Sequence, residues 1–218
     1  MTSEQRPRRA SLVRRALASV MRPVFRLLVR SAKVTDPWER MDVTPRLALF
    51  GEGSRHAFGW YFEGESDVAV GDLAELQRWL GDCAYAPDPQ LFQEPDFWQH
   101  PRTFEQLRRG DCEDFALWAW RKLVELGYDA DLVVGRCVPP GAHGSRHAWV
   151  MFRRDGVEYL YEPILGARPE AVHPFASVRE RYIPEFGVGP DRKSFTFAGW
   201  LYFQKNPRLG EPASPDAA

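Results

Sequence analysis

The stretch from Gly110 to Gly127 reads Gly-Asp-Cys-Glu-Asp-Phe-Ala-Leu-Trp-Ala-Trp-Arg-Lys-Leu-Val-Glu-Leu-Gly, and it demands a helix with a cysteine in its first turn. Asp111 is an N-cap residue, Asp114 stands three residues on as in a capping box, and Gly127 supplies the left-handed residue that ends many helices. Asp114, Arg121, Lys122 and Glu125 fall on one narrow polar stripe, while Phe115, Ala116, Trp118, Ala119, Trp120, Leu123 and Val124 cover most of the remaining circumference. Such a helix is buried on most sides, so the rest of the chain must wrap it. Its first turn presents unpaired N–H groups at the positive end of the helix dipole, which favours thiolate at Cys112, but Asp111, Glu113 and Asp114 push the other way. A nucleophilic cysteine here needs a cationic partner.

With 218 residues, 44% apolar and 13% aromatic, the chain can bury one substantial core. Charge is unevenly spread: residues 1 to 40 carry ten Lys/Arg against three acids, a net +7, so the remainder carries −8. An acidic core repels phosphates, which argues against nucleic acid as a partner. From Ser11 to Lys33, Leu12, Val13, Leu17, Val20, Val24, Leu27 and Leu28 recur at helical spacing opposite Arg15, Arg22, Arg26 and Arg30. This N-terminal basic helix suits an anionic membrane surface, or packs on its own domain or a partner. The expected organisation is a basic amphipathic arm at 1–35, one domain at 36–205 and a disordered tail at 206–218. Arginines interrupt every apolar run near the N-terminus, so neither a secretory leader nor a membrane span is expected, and residence is read as cytoplasmic. Cys83, Cys112 and Cys137 make no disulfide framework, although one Cys83–Cys137 bridge is open.

Residues 43–63 read as two strands or extended segments framing Gly51-Glu52-Gly53-Ser54, and Gly71–Leu80 as a helix. Ala84–Arg102 is rich in proline and aromatics, with Thr103 then capping a short helix Phe104–Arg109. Strands are expected at Ala130–Val138, Arg146–Arg153, Val157–Glu162 and Phe195–Phe203, with a loose loop at 139–145. Residues 164–193 read as irregular, apart from a short helical turn near Val178.

Asp155-Gly156 is a strong hairpin signal. A two-residue turn there sets Glu162 opposite Trp149, which makes His147 and Glu162 diagonal neighbours on one face, ~7–8 Å apart by backbone and within side-chain reach. Cys112, at the end of a helix packed on that sheet, completes a nucleophile, a base and a group that orients the base.

These residues resemble a family. Gly110-Asp111-Cys112-Glu113-Asp114-Phe115-Ala116, His147-Ala148-Trp149-Val150 and Tyr161-Glu162-Pro163 are similar to the Cys, His and acidic motifs of bacterial transglutaminase-like cysteine peptidases, within the wider papain-like superfamily. Trp98-Gln99-His100-Pro101 with Leu107 resembles the segment leading into the family's cysteine motif. The resemblance covers about residues 95 to 165. It implies an α+β papain-like/transglutaminase-core fold, with the cysteine helix packed on an antiparallel sheet. It also implies a cysteine protease or amidase acting on a protein or peptide through a thioester, with Cys112 as nucleophile, His147 as base and acid, and Glu162 as orienting carboxylate. The family more often has aspartate at this third position. For the oxyanion hole two residues compete: Gln106, at the papain spacing before the cysteine, and Trp98, because transglutaminases use an indole N–H. No cofactor is required, but some relatives bind calcium near the cysteine motif, and Glu113 and Asp114 match; these two also fit a capping box.

A transglutaminase is the close alternative, and segment 84–102 and loop 139–145 are candidate cleft walls. A different class is zinc binding by Cys137, His143 and His147, disfavoured because the spacing runs through a loop rather than along a helix. A silent transglutaminase-like interaction module is a third, disfavoured because all three positions hold competent residues.

Overall fold

The computed structural model describes residues 34–137 and 145–205. The expected helix Ser11–Lys33, the loop at 139–144 and the tail from 206 lie outside the described residues.

The central helix runs Cys112–Glu125 with Asp111 as N-cap, and Gly127 beyond its end has φ +85°. The Asp111 N–H donates to Asp114 Oδ2 at 3.3 Å, the backward half of a capping box. Phe115 to Trp120 are each at or below 1% exposure, and so the helix is core from its first turn. The polar stripe is covered as well. Arg121 donates to the carbonyls of Tyr61 (3.2 Å) and Gly64 (2.7 Å) and to Glu125 Oε1 (2.7 Å). Lys122 donates to Val68 O at 2.6 Å and pairs with Glu105 at 3.7 Å and Glu125 at 3.1 Å. Segment 61–68 thus closes over the face that alone looked solvent-bound, and the two cations satisfy its carbonyls.

Among the described residues there are nine strands, in chain order β1 Arg40–Met41, β2 Ala84–Tyr85, β3 Arg109–Gly110, β4 Asp129–Cys137, β5 Ser145–Arg154, β6 Val157–Tyr161, β7 Val172–Pro174, β8 Tyr182–Val188 and β9 Ser194–Phe197. Seven form one sheet in the order β1-β9-β8-β4-β5-β6-β7, with every neighbouring pair antiparallel. The architecture is therefore α+β, a mostly antiparallel sheet with few helices. The central helix packs on the face carrying Leu132, Val134, Ala148 and Val150; the opposite face carries Val133, Trp149, Met151 and Leu160 in a second cluster. β2 and β3 pair in parallel, which sets Tyr85 beside Gly110, two residues before the cysteine. Among the described residues no helix is long and apolar enough to cross a membrane.

The β5–β6 hairpin has the expected register, Val150 opposite Tyr161, and Asp155 and Gly156 take φ +51° and +76°, as a two-residue turn of this hand requires. Elsewhere the sequence expectations are corrected. Residues 43–63 form no strands; short 3-10 turns at Leu47–Leu49 and Trp60–Phe62 instead let Phe50, Phe58 and Tyr61 pack as a cluster of rings against Trp98. Segment 164–193 contains β7 and the central strand β8. Pro184 and Gly187 disguise β8, and the β4–β8 register shifts between Val134 and Gly135, the kind of irregularity that admits proline inside a sheet. The last apolar run is a strand only to Phe197, and Gly199–Lys205 is helical. The helix before the cysteine starts at Pro101, not Phe104: proline suits the first helical position, and the His100 ring accepts the Arg102 N–H at 3.2 Å. All three cysteines are free, so there is no Cys83–Cys137 bridge.

Removing Lys122 leaves Glu105 as an uncompensated charge in the core. Lys122→Ala is expected to cost ~3–5 kcal/mol in urea denaturation, against under ~0.5 kcal/mol for Arg78→Ala on the surface.

Candidate active site

The N-terminus of the central helix meets β5 at a cleft of about 270 Å³, whose lining includes Phe50, Gly51, Tyr85, Trp98, Cys112 and His147. Parallel pairing of Tyr85 with Gly110 brings the 84–98 segment to this point, so it walls the cleft as the sequence suggested.

His147 Nε2 lies 3.0 and 2.7 Å from the two oxygens of Glu162, and both side chains are about nine-tenths buried. The hairpin register delivers this pair. Glu162 is one residue past β6, and its N–H donates to Ala171 O at 2.7 Å. The carboxylate is the acceptor, which puts the ring proton on Nε2 and leaves Nδ1 as the nitrogen able to take another. Nδ1 has no hydrogen-bond partner among the described residues. Trp149, fully buried on the same strand face, has its ring 6.2 Å from the imidazole.

Cys112 lies in the same cleft but is not hydrogen-bonded to His147 among the described residues. Its thiol donates to Glu113 Oε2 at 3.1 Å, and the backbone N–H of Ala148, the residue after the histidine, lies near enough to favour the thiolate. Burial pushes the thiol well above its usual range, and Glu113 and Asp111 push it further; the Ala148 N–H opposes them weakly. In this arrangement the thiol is protonated and held by a carboxylate, and the helix dipole does not compensate.

Around the thiol lies a crowd of acids. Three overlapping groups bring ligand atoms within 4.8 Å of one another: Asp111 with Cys112 and Glu113, Asp88 with Asp111 and Asp114, and Asp88 with Asp96 and Glu113. Burial raises Glu113 and Asp114 well above the carboxylate range, with neighbouring carboxylates adding to it, and raises Asp88 to about 6. None of the five carboxylates has a Lys or Arg salt bridge among the described residues. Asp88 Oδ1, Asp111 Oδ1 and Gln99 Oε1 are buried oxygens without hydrogen-bond partners. Apart from the Cys112 sulfur in one group the donors are carboxylate oxygens, and such a set with unanswered negative charge fits a hard divalent cation such as calcium. Asp114 is also tied to Gln99, whose backbone N–H it accepts at 2.8 Å.

Of the two oxyanion candidates, Trp98 lines the cleft: a Cβ built on Gly51 would stand 2.9 Å from its Nε1. Gln106 is not brought there. It is exposed on the helix Pro101–Leu107, whose inward face carries Phe104 and Glu105 instead. Glu113 and Asp114 both join the acidic cluster. The zinc alternative rests on His143, outside the described residues. Sequence reasoning missed Asp88, Asp96 and Gln99, which sit in an aperiodic segment where only the density of acids was available as a signal.

No protein-family model matches the chain, and no curated protein does. Among solved structures it is similar to LapG of Legionella pneumophila, at 17% identity and TM-score 0.45, over 86% of this chain and 96% of that one. It is also similar to calcium-bound Legionella pneumophila LapG, at 18% identity and TM-score 0.40, over 76% and 82%. A candidate cysteine protease from Cytophaga hutchinsonii matches at 13% identity and TM-score 0.37, over 69% of this chain and 45% of that one. Likeness at this level assigns neither an activity nor a residue.

The geometry at His147 predicts that ¹⁵N NMR finds the neutral imidazole protonated at Nε2, and that Glu162→Ala lets both tautomers appear.

Proposed function

We propose that this chain is a cysteine-dependent hydrolase that cleaves an amide or peptide bond of a protein substrate, on a papain-like/transglutaminase-core fold. The observation that carries the reading is that His147, bonded to Glu162, lines one cleft with a cysteine at a helix N-terminus. In this reading His147 Nδ1 takes the Cys112 proton and the sulfur attacks the substrate carbonyl. The backbone N–H of Cys112 and the Trp98 indole N–H hold the oxyanion. Collapse breaks the C–N bond, the leaving amine takes the proton from the imidazolium, and a thioester remains. Water, deprotonated by the same nitrogen, then attacks the thioester and releases acid and thiol. Glu162 keeps the ring in the productive tautomer. An amine in place of that water gives transglutamination, the second outcome of the same intermediate, and the Trp98 indole favours keeping it in view.

Asp88, Asp96, Asp111, Glu113 and Asp114 would hold calcium, with the unpartnered oxygens of Asp88 and Asp111 among the ligand atoms. Bound there, calcium would neutralise the carboxylates that now hold the thiol protonated.

Incubation with denatured casein tests the reading by appearance of new N-termini. Cys112→Ser and His147→Ala are expected to lower turnover by at least ~10³, and Trp98→Phe by ~10², with kcat rather than KM affected. Activity that survives in Cys112→Ser excludes the proposal. Chelation with EGTA is expected to stop turnover and calcium chloride to restore it, with magnesium a poor substitute because it dehydrates reluctantly and demands a tighter geometry.

A further inference from the structure

The Asp96 carboxylate belongs to two neighbourhoods. On one side its Oδ2 accepts the Gly53 N–H at 2.9 Å, and a Cβ built on Gly51 would stand 2.5 Å from the same oxygen. A Cβ on Gly53 would stand 2.7 Å from the backbone nitrogen of Phe97. The Gly51–Gly53 wall is glycine at both ends because Asp96, Phe97 and the Trp98 indole occupy the space that side chains would need. On the other side an oxygen of Asp96 lies within 4.8 Å of ligand atoms of Asp88 and Glu113.

Asp88 gives this group its character. It is 1% exposed; one oxygen accepts the Phe97 N–H at 2.5 Å, and the other, Oδ1, has no partner. A sealed carboxylate oxygen without a donor, among further carboxylates without a salt bridge, is a cation's ligand atom rather than a hydrogen-bond acceptor. The Tyr61 hydroxyl, also sealed and unpartnered, lies in the field of Asp114, Asp96 and Glu113. Three carboxylates without a cation repel one another, and Asp96, half-buried at the cleft, is the one with room to turn away. If it turns, it releases the Gly53 amide, and the wall facing the nucleophile loses its tie.

We propose that Asp96 couples cation binding to the shape of the substrate cleft: a calcium ion held with Asp88 and Glu113 fixes the Asp96 carboxylate, and through it the Gly51–Gly53 wall beside the Trp98 indole and Cys112. The coupling rests on the calcium reading above and adds to it a route by which the metal acts on substrate binding. Calcium then does more than lower charge near the thiol. It orders one wall of the cleft, and an enzyme stripped of metal binds substrate poorly even where its thiol is reactive.

Hydrogen–deuterium exchange on the full chain tests this, with EGTA or with calcium chloride, in wild type and in Asp96→Ala, while calorimetry on the same samples reports calcium binding. Calcium is expected to slow exchange of peptides spanning 50–54 by about tenfold in wild type. Asp96→Ala is expected still to bind calcium through the remaining carboxylates, more weakly, with under about twofold protection of that segment at saturation. Calcium binding to wild type without protection of 50–54, or full protection in Asp96→Ala, overturns the coupling and leaves the metal site standing. Absence of calcium binding in wild type overturns both.

Discussion

The enclosure of the central helix governs the rest of the structure. A helix with three aromatic residues in one turn and a half cannot leave any broad face in water, and its two cations are not left there either: Arg121 and Lys122 draw segment 61–68 across the stripe that remains. With the sheet on one side and this segment on another, the helix is sealed from Asp114 to Leu123 and meets solvent at its two ends, the N-terminal one at the cleft. Cys112 sits there. The position follows from packing before any chemistry is considered, because β5, the 84–98 segment and the 50–54 turn all converge on that end.

Convergence has an electrostatic cost. Asp88, Asp111, Glu113 and Asp114 are held above their usual range around the thiol, chiefly by burial, and the thiol itself is raised with them. A fold that gathers this much negative charge without a Lys or Arg salt bridge among the described residues gives up stability there, as functional sites commonly do. The opposing features are the His147–Glu162 pair, preassembled by a hairpin, and a set of unpartnered oxygens suited to a cation. The same acids that restrain the thiol are those a cation would engage.

What the sequence made legible and what it hid divide along physical lines. The central helix was readable because its cap, capping-box acid and terminal glycine are local signals, and the His147–Glu162 contact because a two-residue Asp-Gly turn sets register arithmetically. β8 was not, since Pro184 and Gly187 argue against a central strand unless the β4 register shift is known. Gln106 lies outside the cleft because helix Pro101–Leu107 packs on Phe104 and Glu105, and spacing to the cysteine alone does not say which face of a short helix is buried. Asp88 and Asp96 reach the site through the parallel pairing of β2 with β3 and through irregular backbone, for which no periodicity exists.

The central claim is that Cys112, His147 and Glu162 act as one unit, and the pH dependence of Cys112 alkylation by iodoacetamide measures it most directly. The experiment uses calcium-saturated protein with Cys83 and Cys137 replaced by serine, with and without His147→Ala. The account predicts fast labelling of the parent at pH values well below the ~8.5 of a free thiol, lost when His147 is removed. Slow labelling in both proteins, or a rate indifferent to His147, would mean that Cys112 is a buried structural thiol and would contradict the account.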